Sequence, residues 1–195
     1  MYFGTTSNSN TSYANKISAV PHRGKTLAKK KKSRRVPWNK GRKVGPREPF
    51  SPSDVTRIKA LLAKRGKVGL RDLALFSTAI DTMLNMPDLL GLTVKEVRKR
   101  NRVMRDTVEL AQVSGGRARV RCPLSKATMR VLEKWISHSE KKQNNYLFTG
   151  RQSGGITALS TRQVNRLVKA WAADIGLKVD SYGTNSLRRN RAHPY

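Results

Sequence analysis

The chain has 195 residues, a length that suits one medium domain or one domain with a tail. Its 41 Lys+Arg against 12 Asp+Glu leave a formal net charge of +29, a surface that repels itself until a polyanion neutralises it, so nucleic acid is the expected partner. A single cysteine, Cys122, excludes an internal disulfide framework and a cysteine-based zinc site; His22, His138 and His193 lack metal-ligand spacing, and no stretch reaches the apolar length of a membrane span.

The first ten residues are polar and lack the apolar centre of a signal peptide, so the chain is expected to be intracellular, in the cytoplasm. Residues 1–47 carry 13 Lys/Arg and no acid, with Lys29, Lys30, Lys31 and Lys32 in one run before Arg34 and Arg35. Such a segment buries too little apolar area to offset its ordering entropy and reads as a disordered basic arm that tracks phosphates. A nuclear address, an anionic-membrane patch or a solvated spacer has the same composition.

The folded part is expected over 48–195, which holds 28 Lys/Arg and 12 acids, a net charge of +16. Ser51-Pro52-Ser53-Asp54 predicts a helix start, and Val55, Ile58, Leu61 and Leu62 form its apolar face. Gly66 and Gly69 are expected to end it. A second helix follows over about Leu70–Leu84, and Pro87 starts a short third one with Leu89, Leu90 and Leu92. Thr93 and Glu96 make a further capping box. Alternation over 102–112 and 117–122, around Ser114-Gly115-Gly116, predicts a β-hairpin with Ala118, Val120 and Cys122 on one face and Arg117, Arg119 and Arg121 on the other. Ser125 caps a helix whose inward face is Met129, Leu132, Trp135 and Ile136. Tyr146-Leu147-Phe148 reads as a short buried extended segment. Ser160 and Gln163 open an amphipathic helix that Gly176 stops, and a last helix begins near Thr184 or Asn185. The fold class is α+β, mainly helical, with a small β-hairpin.

No P-loop, nucleophile elbow or His-Glu-x-x-His is present, and Asp72, Asp81 and Asp88 fall at helix ends and faces where capping and ion pairing account for them. No cofactor, metal or small-molecule substrate is expected. What persists is cationic: Arg98, Lys99, Arg100, Arg102 and Arg105 before the hairpin, Arg117, Arg119 and Arg121 along it, and Arg188, Arg189 and Arg191 at the end. Each cluster alone is commonly a solvated face; together they favour a phosphate-binding surface.

Four segments carry a resemblance. Glu48–Val55 with Leu70–Leu75, Leu84-Asn85-Met86-Pro87-Asp88-Leu89-Leu90-Gly91-Leu92, the hairpin running into Pro123-Leu124, and Asn185-Ser186-Leu187-Arg188-Arg189 resemble, in order, the catalytic domain of the tyrosine recombinases, the phage-integrase family. The resemblance implies a mostly helical domain that clasps duplex DNA. In that family two arginines, a lysine and a histidine activate the scissile phosphate, and a tyrosine attacks it to form a 3′-phosphotyrosyl link. Here Asn85 stands at the first arginine and Asn185 at the box histidine; no lysine falls near Val113–Gly116, and Arg188 alone matches, as the second arginine. The family's tyrosine falls after the arginine box, beyond the last residue of this sequence, and Tyr195 aligns with an ordinary helix position. The family's separate N-terminal helical domain has the basic arm in its place. Asn85 and Asn185 also read as plain helix N-caps.

The implied function is duplex DNA binding by an integrase-like protein of DNA integration and recombination, impaired in cleavage on its own. The partners are double-stranded DNA and, as a second class, full-length recombinase subunits. Two alternatives stand beside it: a recombinase completed in trans by a partner's tyrosine, and a non-specific basic nucleic-acid-binding protein.

Overall fold

A computed structural model describes residues 46–110, 120–150 and 156–189, which lie in a unit running from Val44 to Tyr195. The lysine run, the hairpin turn with Arg117 and Arg119, and Arg191 lie outside the described residues.

Helix α1 (Pro52–Lys64) starts where the capping residues require. The Asp54 N–H donates to Ser51 Oγ at 3.1 Å and the Ser51 N–H donates back to Asp54 Oδ2 at 3.1 Å, which satisfies two otherwise orphaned donors. Helix α2 (Gly66–Thr82) follows after Arg65 alone, with Gly66 at φ +57° making the bend. The expected boundary is corrected here: Gly69 lies inside α2 and ends nothing. A Cβ on Gly69 would sit 2.1 Å from the Leu62 carbonyl oxygen, so its bare Cα is what lets the last turn of α1 rest on α2.

Helix α2 is the axis of the domain and is buried on nearly every side from Gly69 to Ala79. It packs on α1, on α5 (Lys126–His138), on α7 (Thr184–Arg188) and on the second strand. Two of its buried threonines are satisfied within the helix: Thr78 Oγ1 donates to the Ala74 carbonyl and Thr82 Oγ1 to the Thr78 carbonyl, at 2.8 and 2.7 Å. Short helices α3 (Met86–Gly91) and α4 (Val94–Val97) come next, each with its expected cap.

Strands β1 (Thr107–Leu110) and β2 (Val120–Pro123) pair antiparallel, with Val108 opposite Cys122 and Glu109 opposite Arg121; the strand expected from residue 102 begins only at Thr107, because Arg102 at φ 65° belongs to a turn. Val108 and Cys122 are buried while Glu109 and Arg121 are exposed, the two-faced alternation read from the sequence. Leu147 and Phe148 are buried; the Leu147 N–H donates to the Leu92 carbonyl at 2.8 Å, and the Phe148 carbonyl accepts from Leu159 N–H at 2.9 Å. Tyr146, expected in the core, is instead 41% exposed, and the buried part of this segment begins at Leu147.

Helix α6 (Thr161–Asp174), capped by Ser160 and Gln163, buries Val164, Val168 and Trp171. A row of aromatic rings ties the ends of the domain together. Trp171 meets Phe76 edge-on at 5.5 Å, Phe76 meets Phe50 at 6.0 Å, and Phe50 stacks on Tyr182 at 4.7 Å. The result is a mainly helical domain with one two-stranded antiparallel sheet among the described residues.

Candidate nucleic-acid interface

Helix α7 positions the matching arginine. Leu187 and Ser186 are buried, and the Ser186 hydroxyl accepts from the Gly183 N–H at 3.1 Å. Asn165 of α6 reaches across to accept from the Thr184 N–H at 3.4 Å. With Leu187 in the core, the next residue turns outward, and Arg188 and Arg189 are exposed. Asn185 is exposed in the first turn of α7 and does not cap it; the cap position is Gly183.

Asn185, Arg188 and Arg189 line one side of an open groove of about 660 Å³ whose other walls are Pro49 and Met83. Met83 ends α2 in a left-handed conformation, φ 51° and ψ 22°, and redirects the chain into α3. Pro49 is held there by Phe50 stacking on Tyr182, by the Glu48 N–H donating to the Ser181 carbonyl at 3.0 Å, and by the Arg47 guanidinium donating to the Asp180 carbonyl. Asn85, two residues past Met83, is the N-cap of α3: its Oδ1 accepts from the Asp88 N–H at 2.9 Å. The capping reading holds for Asn85 and fails for Asn185.

The cations before the hairpin divide. Residues 99–103 form a tight turn, with the Lys99 N–H donating to the Val103 carbonyl at 2.8 Å and Arg102 at φ 65°. Lys99, Arg100 and Arg102 are exposed on it. Arg98 turns inward instead: it is half-buried, and its Nη2 donates to the Lys141 carbonyl at 3.4 Å. Arg121 is exposed on the outer face of β2 and pairs with Glu109 across the sheet at 3.0 Å, a surface pair that contributes little.

Tyr182 and Cys122, two side chains with nucleophilic atoms, are both buried. Burial first, then the charges of Glu48 and Asp54, push the Tyr182 phenol up. Burial likewise raises the Cys122 thiol. Among the described residues, no three His, Cys, Asp or Glu side chains group to hold a metal ion, and no helix is long and apolar enough to cross a membrane. A second cationic cluster, Arg71 with Lys141, is invisible in the sequence because nothing in their spacing brings them together; the fold does so through Thr149.

A central helix wrapped by short helices, a small hairpin, and an arginine helix beside the end of α2 define the catalytic-domain fold of the tyrosine recombinases. The chain belongs to the phage integrase family, whose model matches residues 50–194. Similar solved structures share the fold. One is XerA recombinase, at 16% identity and a TM-score of 0.57 over 74% of this chain and 49% of that one. Another is XerH site-specific recombinase bound to its difH substrate in a pre-cleavage complex, at 19% identity and 0.58 over 73% of this chain and 40% of that one. A third is the Tn1549 transposon integrase in complex with circular intermediate DNA, at 18% identity and 0.52 over 75% of this chain and 51% of that one. This chain therefore spans about half or less of those proteins. No curated protein matches the sequence at a significant level.

Proposed function

We propose that this chain binds duplex DNA in DNA integration or recombination, and that it does not cleave the strand by itself. One observation carries the reading: the groove beside α2 presents Arg188 and Arg189, both exposed, with asparagine at both neighbouring family positions. Arginine on a groove wall binds a phosphodiester well as a fixed, forked cation. Asn85 brings no charge and spends its carbonyl oxygen on the α3 cap, and Asn185 donates hydrogen bonds but shuttles no proton. Losing one positioned donor costs such a centre about 10²–10³ in rate, and the cation missing at Asn85 is a loss of that kind. The relatives described in complex with DNA support duplex DNA as the ligand. The exposed Lys99, Arg100 and Arg121 extend the contact surface, and the basic stretch with Lys29–Lys32 adds phosphate contacts in the same direction.

The test is covalent trapping. The chain is incubated with a nicked duplex, quenched in detergent and examined for a protein–DNA adduct, beside a native gel for binding. A shifted band in the native gel with no adduct is the expected result. An adduct would overturn the non-cleaving reading. An adduct formed only when a full-length recombinase is added would show a tyrosine supplied in trans, and no shift at all would overturn DNA binding.

A further inference from the structure

A second cationic site lies at the opposite end of α2. Lys67 and Arg71 stand in its first turns and Met83 follows its last, so at 1.5 Å per residue this site is about 20 Å along the helix from the Arg188 groove. It is a cavity of about 360 Å³, and none of the side chains lining it is acidic.

Its charges are built in rather than scattered on a surface. Lys141 is only 7% exposed. Its Nζ donates to Thr149 Oγ1 at 2.8 Å and lies 5.7 Å from the centre of the Trp135 ring. Arg71 is buried beside it. Its Nε and Nη2 both donate to Asp72 Oδ1, at 2.9 and 2.7 Å, and its Nη1 donates to the Thr149 carbonyl at 3.3 Å. Thr149 thus holds both cations, one by its hydroxyl and one by its carbonyl. Asp72 neutralises Arg71, whereas no ion pair among the described residues includes Lys141. Lys67, exposed at the rim, is one turn from Arg71 on the same helix face.

A buried ammonium without a counter-ion is costly, and burial already lowers the affinity of Lys141 for its proton. The sequence could have placed an apolar residue there. Instead the fold converges two lysines, an arginine with a further donor edge and a hydroxyl on one open cavity. We propose that this cavity binds a phosphate group, with Lys141 and Arg71 as its inner ligands and Lys67 at its mouth. Inorganic phosphate or a phosphate monoester, close to a dianion, matches the two lysine charges that Asp72 leaves uncompensated, whereas a single phosphodiester of a DNA backbone matches one of them. The phosphate comes either from a free phosphate compound or from a DNA backbone running past this end of α2. The proposal stands apart from the Arg188 groove and does not need it.

The wall of the cavity supplies the reporter. The Trp135 indole N–H donates to the Leu147 carbonyl at 2.8 Å, and its resonance is assigned against those of Trp38 and Trp171 with a Trp135→Phe spectrum. The full chain, labelled with ¹⁵N, is titrated with inorganic phosphate and, separately, with sodium chloride at matched ionic strength. Phosphate should move the Trp135 indole signal saturably, and chloride should not. Lys141→Gln should weaken the response at least tenfold and Arg188→Ala should leave it unchanged. Lys67→Ala, a rim change that cannot unsettle the core, should weaken it severalfold and keeps the test open where Lys141→Gln fails to fold. Saturation with phosphate but no shift with a 20-base-pair duplex assigns a free phosphate compound. Saturation with the duplex at concentrations where phosphate does nothing assigns the DNA backbone, again through Lys67. A shift that never saturates, that chloride reproduces, or that survives Lys67→Ala and Lys141→Gln unchanged overturns the proposal as generic attraction to a +29 chain.

Discussion

Two residues set the approach to the groove, and each trades one physical quantity against another. Met83 takes a left-handed backbone at 46% exposure, a conformation that costs a side-chain-bearing residue about 1–2 kcal/mol. Glycine removes that cost but adds about 0.4–1 kcal/mol of unfolded-state entropy. Met83→Gly is therefore expected to raise the melting temperature by roughly 2 °C. A lower one would mean that the methionine side chain contributes packing in the groove worth more than the backbone strain. Asn85 is a cap first, so Asn85→Ala should cost about 1 kcal/mol in chemical denaturation. Asn85→Arg should lose the same cap yet place a cation next to the groove. It is expected to be less stable than the parent and to bind duplex DNA several times more tightly, with a steeper salt dependence, by fluorescence anisotropy. Equal affinity for the parent and the Asn85→Arg protein would show that DNA does not pass this end of α3.

The elements divide by how local their causes are. Capping residues state a helix start within four positions, which is why Ser51, Asn85, Thr93, Ser125 and Ser160 all stand at the helix starts their sequence context indicates. The two-residue alternation of the hairpin is equally local, and Val108 and Cys122 face inward as it requires. Gly69 was not legible in this way. A glycine between two helical stretches reads as a stop, and only the three-dimensional approach of α1 to α2 shows that it is a contact point. The Arg71–Thr149–Lys141 cluster was hidden for the same reason, since its members are 78 and 8 residues apart along the chain. Of the groove residues, Arg188 and Asn185 were visible as a motif, whereas Pro49 and Met83 enter through the aromatic stack and the left-handed turn. Gly69→Ala tests the helix contact directly. A Cβ facing the Leu62 carbonyl at 2.1 Å, with Arg65 Cβ at 2.6 Å, must push α1 aside, and overpacking of this kind costs about 1–3 kcal/mol. The expected result is a melting temperature lower by several degrees with DNA affinity retained in the cold; an unchanged melting temperature would mean that α1 shifts at no cost.

For the whole molecule, electrostatics dominates association. Among the described residues, ion pairs engage Arg57, Arg65, Arg71, Arg121 and Lys169, so Arg100, Arg188 and Arg189 face solvent without a carboxylate partner. Phosphates that replace their counter-ions release those ions to bulk, which makes the affinity fall as a power of salt concentration. If 6–10 phosphates are engaged, duplex affinity should drop about 10³–10⁵-fold between 50 and 200 mM salt. Removing residues 1–43 should flatten that slope, since that stretch is cationic and carries no acid. The cut belongs before Val44 because Arg47 and Glu48 tie the start of the domain to the Asp180–Ser181 backbone that leads into α7. A shortened chain that melts cooperatively and binds with a smaller slope would assign the domain and the stretch additive shares of the phosphate contacts. A slope unchanged by the deletion would confine the contacts to the domain, and a flat response in the full chain would mean that DNA is held by something other than its phosphates.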